Sequence, residues 1–392
     1  MNGSHMRVYL DYNATTPLAP EVVDAVVAAT RDLFGNPSSV HHFGQQAKAA
    51  MDDARTAVAT LIGADPSEVV FTSGGTEADN LAIRGAAEAA EPTGRRHLVA
   101  SAIEHEAVLN TLKALARRGW RTTLVPVDQS GIVSAARVRE ALADDTAVVS
   151  VMHANNEIGT IQPIAEIAAA AHERGALMHT DAVQSAGKIP VDVRALGVDL
   201  LALSAHKLNG PKGAGALWIK RGTRMLPILT GGKHERSRRA GTENVPAIAG
   251  FGIAARHAAS KIKTEGVRVA ALRDRLEAGI LGGVPGTTVN GALDGRVPNT
   301  TNISFDRVEA ESLLIALDLE GIAVSTGSAC SSGTLEPSHV LRAMGFPAHR
   351  TQNSLRFSLG MFSTDADVDR VVAVLPGLVE KLRKLTRKAV GI

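Results

Sequence analysis

The sequence VDLLALSAHK, residues 198–207, is the stretch that indicates the fold most directly. It joins an apolar run, Val198–Leu203, to the polar group Ser204-Ala205-His206-Lys207, and a glycine-rich turn follows. An apolar run of this length is typical of a buried strand. Ligands in open α/β sheets bind outside the carboxyl ends of the strands. The pattern therefore predicts a buried strand that ends at a lysine in a ligand site, although a loop lysine alone is usually a solvated charge.

Short β-rich runs alternate with longer helical patterns on both sides of this stretch. Val69–Phe71 precedes a helical pattern over 76–90, and His97–Val99 precedes another over 105–118. Further strand runs are predicted at 147–152, 177–180, 200–203 and 214–219. This alternation is typical of a mainly parallel sheet with crossover helices, so we expect an α/β fold.

The chain is long enough for two domains, because it has 392 residues and 45% of them are hydrophobic. Segment 243–285 has a helical pattern throughout and leads to a smaller unit with strand candidates at 287–290, 301–305, 321–325 and 354–358. Helical patterns at 309–319 and 365–386 complete an α+β layer. We expect a large α/β domain over 17–262 and a small α+β domain formed by 6–16 and 263–392. Residues 1–5 are typical of an expression scar.

The charges of the chain exclude several classes of protein. The 42 basic and 40 acidic residues nearly cancel and are interspersed, so no basic surface for nucleic acid or membrane is predicted. No apolar run approaches the ~18 to 20 residues that span a bilayer, and no signal peptide pattern occurs. We therefore expect a cytoplasmic protein.

Cys330 is the single cysteine of the chain, which excludes an internal disulfide. A lone cysteine is often a small buried hydrophobe. Here it lies in STGSACSSGT, residues 325–334, a run of small and polar residues in which Gly327 and Gly333 flank the thiol. No core strand or helix has that composition, so the sequence favours an accessible loop with a reactive thiol.

Two further motifs indicate an anionic, ring-shaped ligand. Ser73-Gly74-Gly75-Thr76-Glu77 follows a strand and opens a helix, so backbone N–H groups and the helix dipole would converge on a phosphate. Thr76 could instead be an ordinary helix cap.

The second motif is Asp181, which ends the strand 177–180 and is followed closely by Gln184. A carboxylate at this place is what the nitrogen of a pyridinium cofactor requires, because its negative charge keeps that nitrogen protonated. A helix-capping role for Asp181 is equally consistent with the sequence.

These motifs occur together and in order, and with them the chain resembles the cysteine desulfurases of the NifS/IscS type, in the class V aminotransferase family. The resemblance runs from Tyr9-Leu10-Asp11-Tyr12-Asn13-Ala14-Thr15-Thr16-Pro17 to Ser354-Leu355-Arg356-Phe357-Ser358, nearly the whole native chain. It implies a pyridoxal 5'-phosphate (PLP) enzyme of fold type I. Gly75 stands where alanine is frequent in this family, and Lys233 replaces a frequent glycine.

The resemblance implies a role for each of several residues. Lys207 would bind the cofactor covalently, His105 would stack on its ring and move protons, and Cys330 would receive sulfur as a persulfide. Asp181 would pair with the pyridinium nitrogen and Gln184 with the phenolic oxygen. The other cofactor-binding residues would be Gly75, Thr76, Asn156, Ser204, His206 and, from a second subunit, Thr242. The substrate L-cysteine would be bound by Arg356, Asn156 and Asn36. No metal site is implied.

The implied reaction converts L-cysteine to L-alanine in a homodimer, and the persulfide then passes to an iron–sulfur scaffold or another sulfur acceptor protein. One alternative is a selenocysteine lyase or β-eliminating lyase of the same fold, in which Cys330 is dispensable. Another is a non-catalytic cofactor-binding or assembly protein. The joint presence of Lys207, His105, Asp181 and Arg356 argues against the last.

Overall fold

A computed structural model describes residues 7–327 and 337–390 of the chain. Within these ranges the strands form one seven-stranded, one three-stranded and one two-stranded sheet. The strands are β1 (Val8–Tyr9), β2 (Val69–Thr72), β3 (His97–Ser101), β4 (Arg121–Val125), β5 (Thr146–Ser150), β6 (Leu177–Asp181), β7 (Leu200–Ser204), β8 (Gly215–Ile219), β9 (Thr287–Asn290), β10 (Thr300–Phe305), β11 (Ile322–Ala323) and β12 (Ser354–Ser358).

Helices pack on the faces of these sheets, and α8 is the longest of those described, with 39 residues. The helices are α1 (Pro20–Asp32), α2 (His42–Leu61), α3 (Gly75–Ala90), α4 (Glu106–Ala116), α5 (Ala135–Ala141), α6 (Ile164–Glu173), α7 (Val193–Leu196), α8 (Val245–Gly283), α9 (Ala310–Leu319), α10 (His339–Ala343), α11 (Ala348–Gln352) and α12 (Asp365–Val390). Among the residues described, no helix is both long enough and apolar enough to cross a membrane.

The seven-stranded sheet has the order β2-β8-β7-β6-β5-β3-β4. Every neighbouring pair from β7 to β4 is parallel, whereas β8 is antiparallel to both β7 and β2. The predicted mainly parallel α/β sheet is thus confirmed. The sequence reading missed β4, since this edge strand is partly exposed and its residues, RTTLV, include no continuous apolar run.

Alternation along the strands builds a separate core on each face of this sheet. Val69 and Phe71 pack in a cluster with Phe251 of α8, whereas Val70 packs in a second cluster with Leu81 of α3. Successive side chains of a strand point to opposite faces, and helices cover both. The strands are therefore buried on both sides, and their ligand-binding edge is fixed by two layers of helices.

The smaller sheets share a third core. β10 pairs antiparallel with both β9 and β12, and β1 pairs in parallel with β11. Val8 of β1 packs there with Leu276 of α8, Phe305 and Phe357. Helix α8 contributes Phe251 to the core of the large sheet and Leu276 to this one, so it connects the two units, and the N-terminal strand packs with the C-terminal half of the chain.

Candidate active site

A cleft of about 380 Å³ opens where the parallel strands end and the C-terminal layer begins. It brings together most of the residues that the sequence predicted for catalysis and substrate binding. Its lining includes His105, Asn156, Gln184, Lys207 and Arg356. Asn156, Gln184 and Lys207 meet because they follow β5, β6 and β7, which are parallel neighbours whose carboxyl ends lie at one edge. His105 follows β3 of the same sheet, and Arg356 comes from β12 of the three-stranded sheet.

Lys207 lies in a single 3₁₀ turn, Ala205–Lys207, directly after β7. Its Nζ donates hydrogen bonds to the carbonyl oxygens of Asn13 and Ala14, the latter at 2.7 Å. Burial and the nearby positive charge of Arg356 lower the pKa of Lys207 to about 8. A substantial fraction of this amine is therefore unprotonated near neutral pH, as a nucleophile or a base requires.

Asp181 is the last residue of β6 and is buried beside β7, where it pairs in register with Ala202. Its Oδ1 accepts a hydrogen bond from the backbone N–H of Val183 at 2.8 Å. Burial raises the pKa of Asp181, while the charges of His105 and Lys207 and the Val183 N–H oppose that rise. The helix-capping alternative is wrong, because the next helix begins only at Val193.

Two more buried carboxyls, Asp79 and Glu104, lie near Asp181. Burial raises the pKa of Asp79 well above its ordinary value, and the charges of Asp181 and Glu104 raise it further. Burial raises the pKa of Glu104 to about 8. Like charges in a buried cluster disfavour each other's ionisation. Asp181 is the member of the cluster whose pKa is lowered by the nearby His105 and Lys207, so the negative charge of the cluster is most stable there.

The first turn of α3 lies where the sequence predicted a phosphate cradle. The N-cap of this helix is Gly74, and no described side chain caps its first N–H groups. The alternative in which Thr76 caps the helix is therefore wrong. Ser204 contributes a buried Oγ that has no hydrogen-bond partner among the residues described. A Cβ built on Gly74 would lie 4.0 Å from that oxygen, so the hydroxyl lies close to the start of α3.

His105 and His206 occupy different surroundings. His105 is the N-cap of α4, and its Nδ1 accepts a hydrogen bond from the N–H of Ala107 at 3.1 Å, which leaves Nε2 to carry the proton of the neutral ring. The Nδ1 of His206 lies 3.1 Å from Thr15 Oγ1. Burial, with the charges of Lys207 and Lys212, lowers the pKa of His206 to about 4, so its ring is neutral at physiological pH.

Arg356 is a buried residue of β12 that faces the cleft. Its Nη2 forms an ion pair with Asp11 Oδ1 at 2.6 Å, and its Nη1 donates to the backbone oxygen of Asn156 at 3.0 Å. Its Nε has no partner among the residues described. The guanidinium is thus fixed at two nitrogens and keeps a donor for an anionic ligand.

Five of the predicted cofactor-binding residues lie beside the cleft without lining it, at strand ends and at the start of α3: Gly75, Thr76, Asp181, Ser204 and His206. Three more, Thr242, Asn36 and Cys330, are not placed at the site by the described part of this chain. Thr242 is exposed and does not line the cleft. Asn36 lies in the exposed connection between α1 and α2, where its Oδ1 accepts a hydrogen bond from Ser38 N–H at 2.9 Å. Cys330 lies outside the described residues, but Gly327 and Pro337, on either side of that gap, both line the cleft.

Asn13 and Lys188 belong to this site and were missed by sequence reasoning. Asn13 Nδ2 donates to the backbone oxygen of Asn156 at 3.0 Å and to Thr300 Oγ1 at 2.8 Å. Lys188 Nζ donates to Gln184 Oε1 at 2.6 Å. Asn13 lies in the quoted motif YLDYNATTP, and Lys188 lies four residues after Gln184, but neither position carried a chemical signal of its own.

The arrangement fits PLP. Ser204 and the uncapped end of α3 offer unused donors for its phosphate, Asp181 offers a buried carboxylate for its ring nitrogen, and Lys207 offers an amine for its aldehyde. These functions converge on one edge of the sheet, where a flat anionic molecule of this size can contact all three.

Comparison with known proteins agrees with this arrangement. The family model "Aminotransferase class-V" matches residues 8–371. A cysteine desulfurase of Nostoc sp. is 49% identical over 379 residues, which cover 97% of this chain and 94% of the relative. The cysteine desulfurase NifS of Azotobacter vinelandii is 47% identical over 380 residues, with 97% and 94% covered.

A solved structure described as a NifS-like protein shares the fold, with a TM-score of 0.90 and 36% sequence identity. The match covers 96% of this chain and all of the other. Likeness at this level, over nearly the full length, extends from the lysine strand to the C-terminal layer that holds Arg356. The chain therefore belongs to the class V aminotransferase family of PLP-dependent enzymes, in which it is similar to the cysteine desulfurases of the NifS/IscS type.

Proposed function

We propose that the chain is a PLP-dependent cysteine desulfurase, which converts L-cysteine to L-alanine and receives the sulfur on Cys330. The single observation that carries the proposal is the composition of one cleft. An amine of lowered pKa, Lys207, and a substrate-facing guanidinium, Arg356, line the same cleft as both ends of the segment that contains Cys330.

The bound cofactor would supply an electron sink for the bond that breaks at the substrate Cα. Lys207 would hold it and, once the substrate amine has taken its place, would remove the Cα proton, since its amine is readily unprotonated near pH 8. Asp181 would keep the ring nitrogen charged. His105, with Nε2 directed away from its own helix, would exchange protons above the ring.

Arg356 would bind the substrate carboxylate. Its contacts with Asp11 and Asn156 fix the plane of the guanidinium before substrate arrives, which lowers the entropy lost on binding. Arg356 lines the cleft, so this member of the ion pair is open to it. We assign Asn36 a substrate-side role only in the assembled dimer, since it lies outside the cleft of its own chain.

Cys330 would attack the sulfur of the bound substrate. The new S–S bond forms as the Cβ–S bond breaks, and the electron pair of that bond stays on Cβ, which takes up a proton to become the methyl group of alanine. Cys330 is three residues beyond Gly327, and three peptide units span at most about 11 Å. Gly327 lines the cleft, so Cys330 lies within this distance of the cleft along the chain. The short distance supports Cys330 as the residue that receives the sulfur.

We further propose that the protein is a cytoplasmic homodimer in which the partner supplies Thr242 to the phosphate cradle. The exposure of Thr242 and the free donors of the cradle support that assignment. The persulfide would pass to an iron–sulfur scaffold or another sulfur acceptor protein. The small domain, which we assign to 6–16 and 263–392, would present the thiol.

Product analysis tests the proposal. The purified protein, loaded with PLP, is incubated with L-cysteine, and both the amino acid and the sulfur are identified. Alanine in equal amount to protein-bound and acceptor-bound sulfur is expected. Pyruvate, ammonia and free sulfide would instead identify a β-eliminating lyase, the second candidate of the same fold.

A further inference from the structure

Lys188 lies behind the candidate cofactor site, in a segment that follows β6. It lines a second, smaller cavity of about 90 Å³ between the two units, which Lys207 also borders. Its Nζ donates two hydrogen bonds, one to Gln184 Oε1 at 2.6 Å and one to Asn13 Oδ1 at 3.0 Å. Lys188 thus contacts two residues of the site but takes no part in the proposed reaction.

The second contact of Gln184 fixes the orientation of its amide. Gln184 Nε2 donates to the backbone oxygen of Asn13 at 3.0 Å. A carbonyl oxygen only accepts, so the amide atom that faces it must be the nitrogen. With Oε1 facing Lys188 and one N–H facing Asn13, the remaining N–H of the amide is the group left for the cleft that Gln184 lines.

Asn13 is itself held in place by both units of the molecule. Its Oδ1 also accepts a hydrogen bond from Asn299 Nδ2 at 3.0 Å, and its backbone N–H donates to Ser358 Oγ at 2.9 Å. These contacts join the N-terminal segment to the C-terminal layer. The oxygen atoms that receive the bonds from Lys188 and Gln184 are therefore fixed in position.

The charge of Lys188 suits this position. Burial and the positive charges of Lys207 and Arg356 hold the pKa of Lys188 well below its ordinary value. The amine contacts two acceptors, so its neutral form, with two N–H groups, can satisfy both contacts. The lowered pKa also reduces the positive charge that Lys188 places beside Lys207, whose amine must lose a proton to act.

We propose that Lys188 is a positioning residue that holds the amide of Gln184 with its N–H toward the cleft, where the amide donates to an acceptor oxygen on the ring of the bound cofactor. This assignment rests on the proposed function, because that function places a cofactor oxygen beside Gln184. Without Lys188 the amide keeps only its contact with the Asn13 carbonyl oxygen, so its orientation is held by one hydrogen bond in place of two and its N–H is presented to the cofactor less firmly.

The test measures cofactor binding rather than turnover. Apo-protein is titrated with PLP, and the dissociation constant and the pH dependence of the visible absorption of the bound form are recorded. We expect Lys188→Met to weaken binding about 10-fold, the size expected for one buried hydrogen bond, and to shift the pH midpoint of the spectrum. Lys261→Met, an exposed lysine lining the same second cavity, is the matched control and should change affinity less than about 2-fold.

A double-mutant cycle shows whether Lys188 acts through Gln184. In a Gln184→Ala background, Lys188→Met should weaken PLP binding by no more than about 2-fold, because the group it orients is gone. An equal loss in both backgrounds would overturn the proposal. So would unchanged affinity and spectrum in the single variant.

A second variant covers the case in which Lys188→Met does not fold. Lys188→Gln keeps a donor at this position and should give an intermediate affinity for PLP. Wild-type affinity in that variant would also overturn the proposal. A wild-type protein that does not bind PLP would refute the proposed function as well, whereas wild-type binding with an unaffected Lys188 variant refutes this assignment alone.

Discussion

Lys207 Nζ lies 2.7 Å from the carbonyl oxygen of Ala14, a residue 193 positions earlier in the chain. The contact places Lys207, in the turn after β7, against the N-terminal segment that leads from β1 into the large unit. The lysine is thereby aimed at the cleft by a backbone that is itself anchored in the C-terminal layer through Asn13 and Ser358.

Lys207→Ala should abolish covalent attachment of PLP. The reason is that Lys207 lies in the turn directly after β7 and lines the cleft, so its amine is the one that we expect to meet the cofactor aldehyde. Reduction with borohydride followed by mass spectrometry of the intact protein should add one cofactor mass to the wild type and none to the variant. Lys212→Ala, an exposed lysine five residues away, should behave as the wild type. A stoichiometric adduct in Lys207→Ala would contradict the assignment.

The rate of covalent PLP attachment should rise with pH, with a midpoint near 8. Burial and the charge of Arg356 lower the pKa of Lys207 to about 8, and the unprotonated amine is the attacking form. Because an unfolded lysine stays protonated to about pH 10.4, the unfolded state binds more protons between these values, and Lys207 should make stability rise with pH over that window. Stopped-flow absorbance from pH 6.5 to 9.5 measures the rate, and a flat profile would refute the lowered pKa.

Glu104→Gln should stabilise the protein above pH 8. Burial raises the folded-state pKa of Glu104 to about 8, so the folded state holds a proton that the unfolded state has released above about pH 4.3. Stability from this group is present at low pH and is lost as the pH rises toward 8. At pH 8.5 the variant has no buried carboxyl to ionise, and we expect its free energy of unfolding to be higher than that of the wild type by on the order of 1 to 3 kcal/mol. At pH 5 we expect a smaller difference or one of opposite sign.

Urea unfolding at the two pH values measures this difference. Glu140→Gln, on the exposed side of α5, is the matched control and should change stability little at either pH. A Glu104 variant that is equally destabilised at pH 5 and pH 8.5 would show that Glu104 is not the group that titrates.

Thr242→Ala should weaken PLP binding several-fold, although Thr242 lies outside the cleft of its own chain. The reason is the proposed dimer, in which the partner's loop completes the phosphate cradle. Subunit mixing separates the two arrangements. If the cradle is shared, a dimer of one Lys207→Ala chain and one Thr242→Ala chain contains one site with both lesions and one intact site, and it should bind one PLP with wild-type affinity. A protein that sediments as a monomer with full PLP affinity would contradict the dimer.

Cys330→Ala should bind PLP normally and still fail to transfer sulfur. Cys330 is proposed to act after the Cα proton has been removed, so proton exchange at the substrate Cα should continue in the variant. Measuring deuterium incorporation into cysteine alongside alanine release distinguishes these steps. A buried structural cysteine would behave differently, since its replacement would cost stability on the order of 1 kcal/mol and leave turnover intact. Alanine release at the wild-type rate would show that Cys330 is dispensable and would favour the selenocysteine lyase alternative.

The sequence by itself determined the class of the large sheet and the residues at its strand ends. Lys207, Asp181 and the turn before Thr76 each follow an apolar run, and parallel strands place their carboxyl ends at one edge. Local order along the chain was therefore enough to predict that these groups would meet. The family resemblance supplied Arg356 and His105, which have no comparable local signal.

Only the tertiary structure decided which groups hold those residues in place. The ion pair of Arg356 with Asp11 spans 345 positions, and the network of Asn13 with Lys188 and Gln184 joins segments 171 or more positions apart. Such contacts depend on how the N-terminal segment crosses between the two units. The spacing of residues in the sequence does not predict that path. The same is true of the buried carboxyls Asp79 and Glu104. Their pKa values are set by exclusion of water and by neighbouring charges, and both exist only once the helices have packed on the sheet.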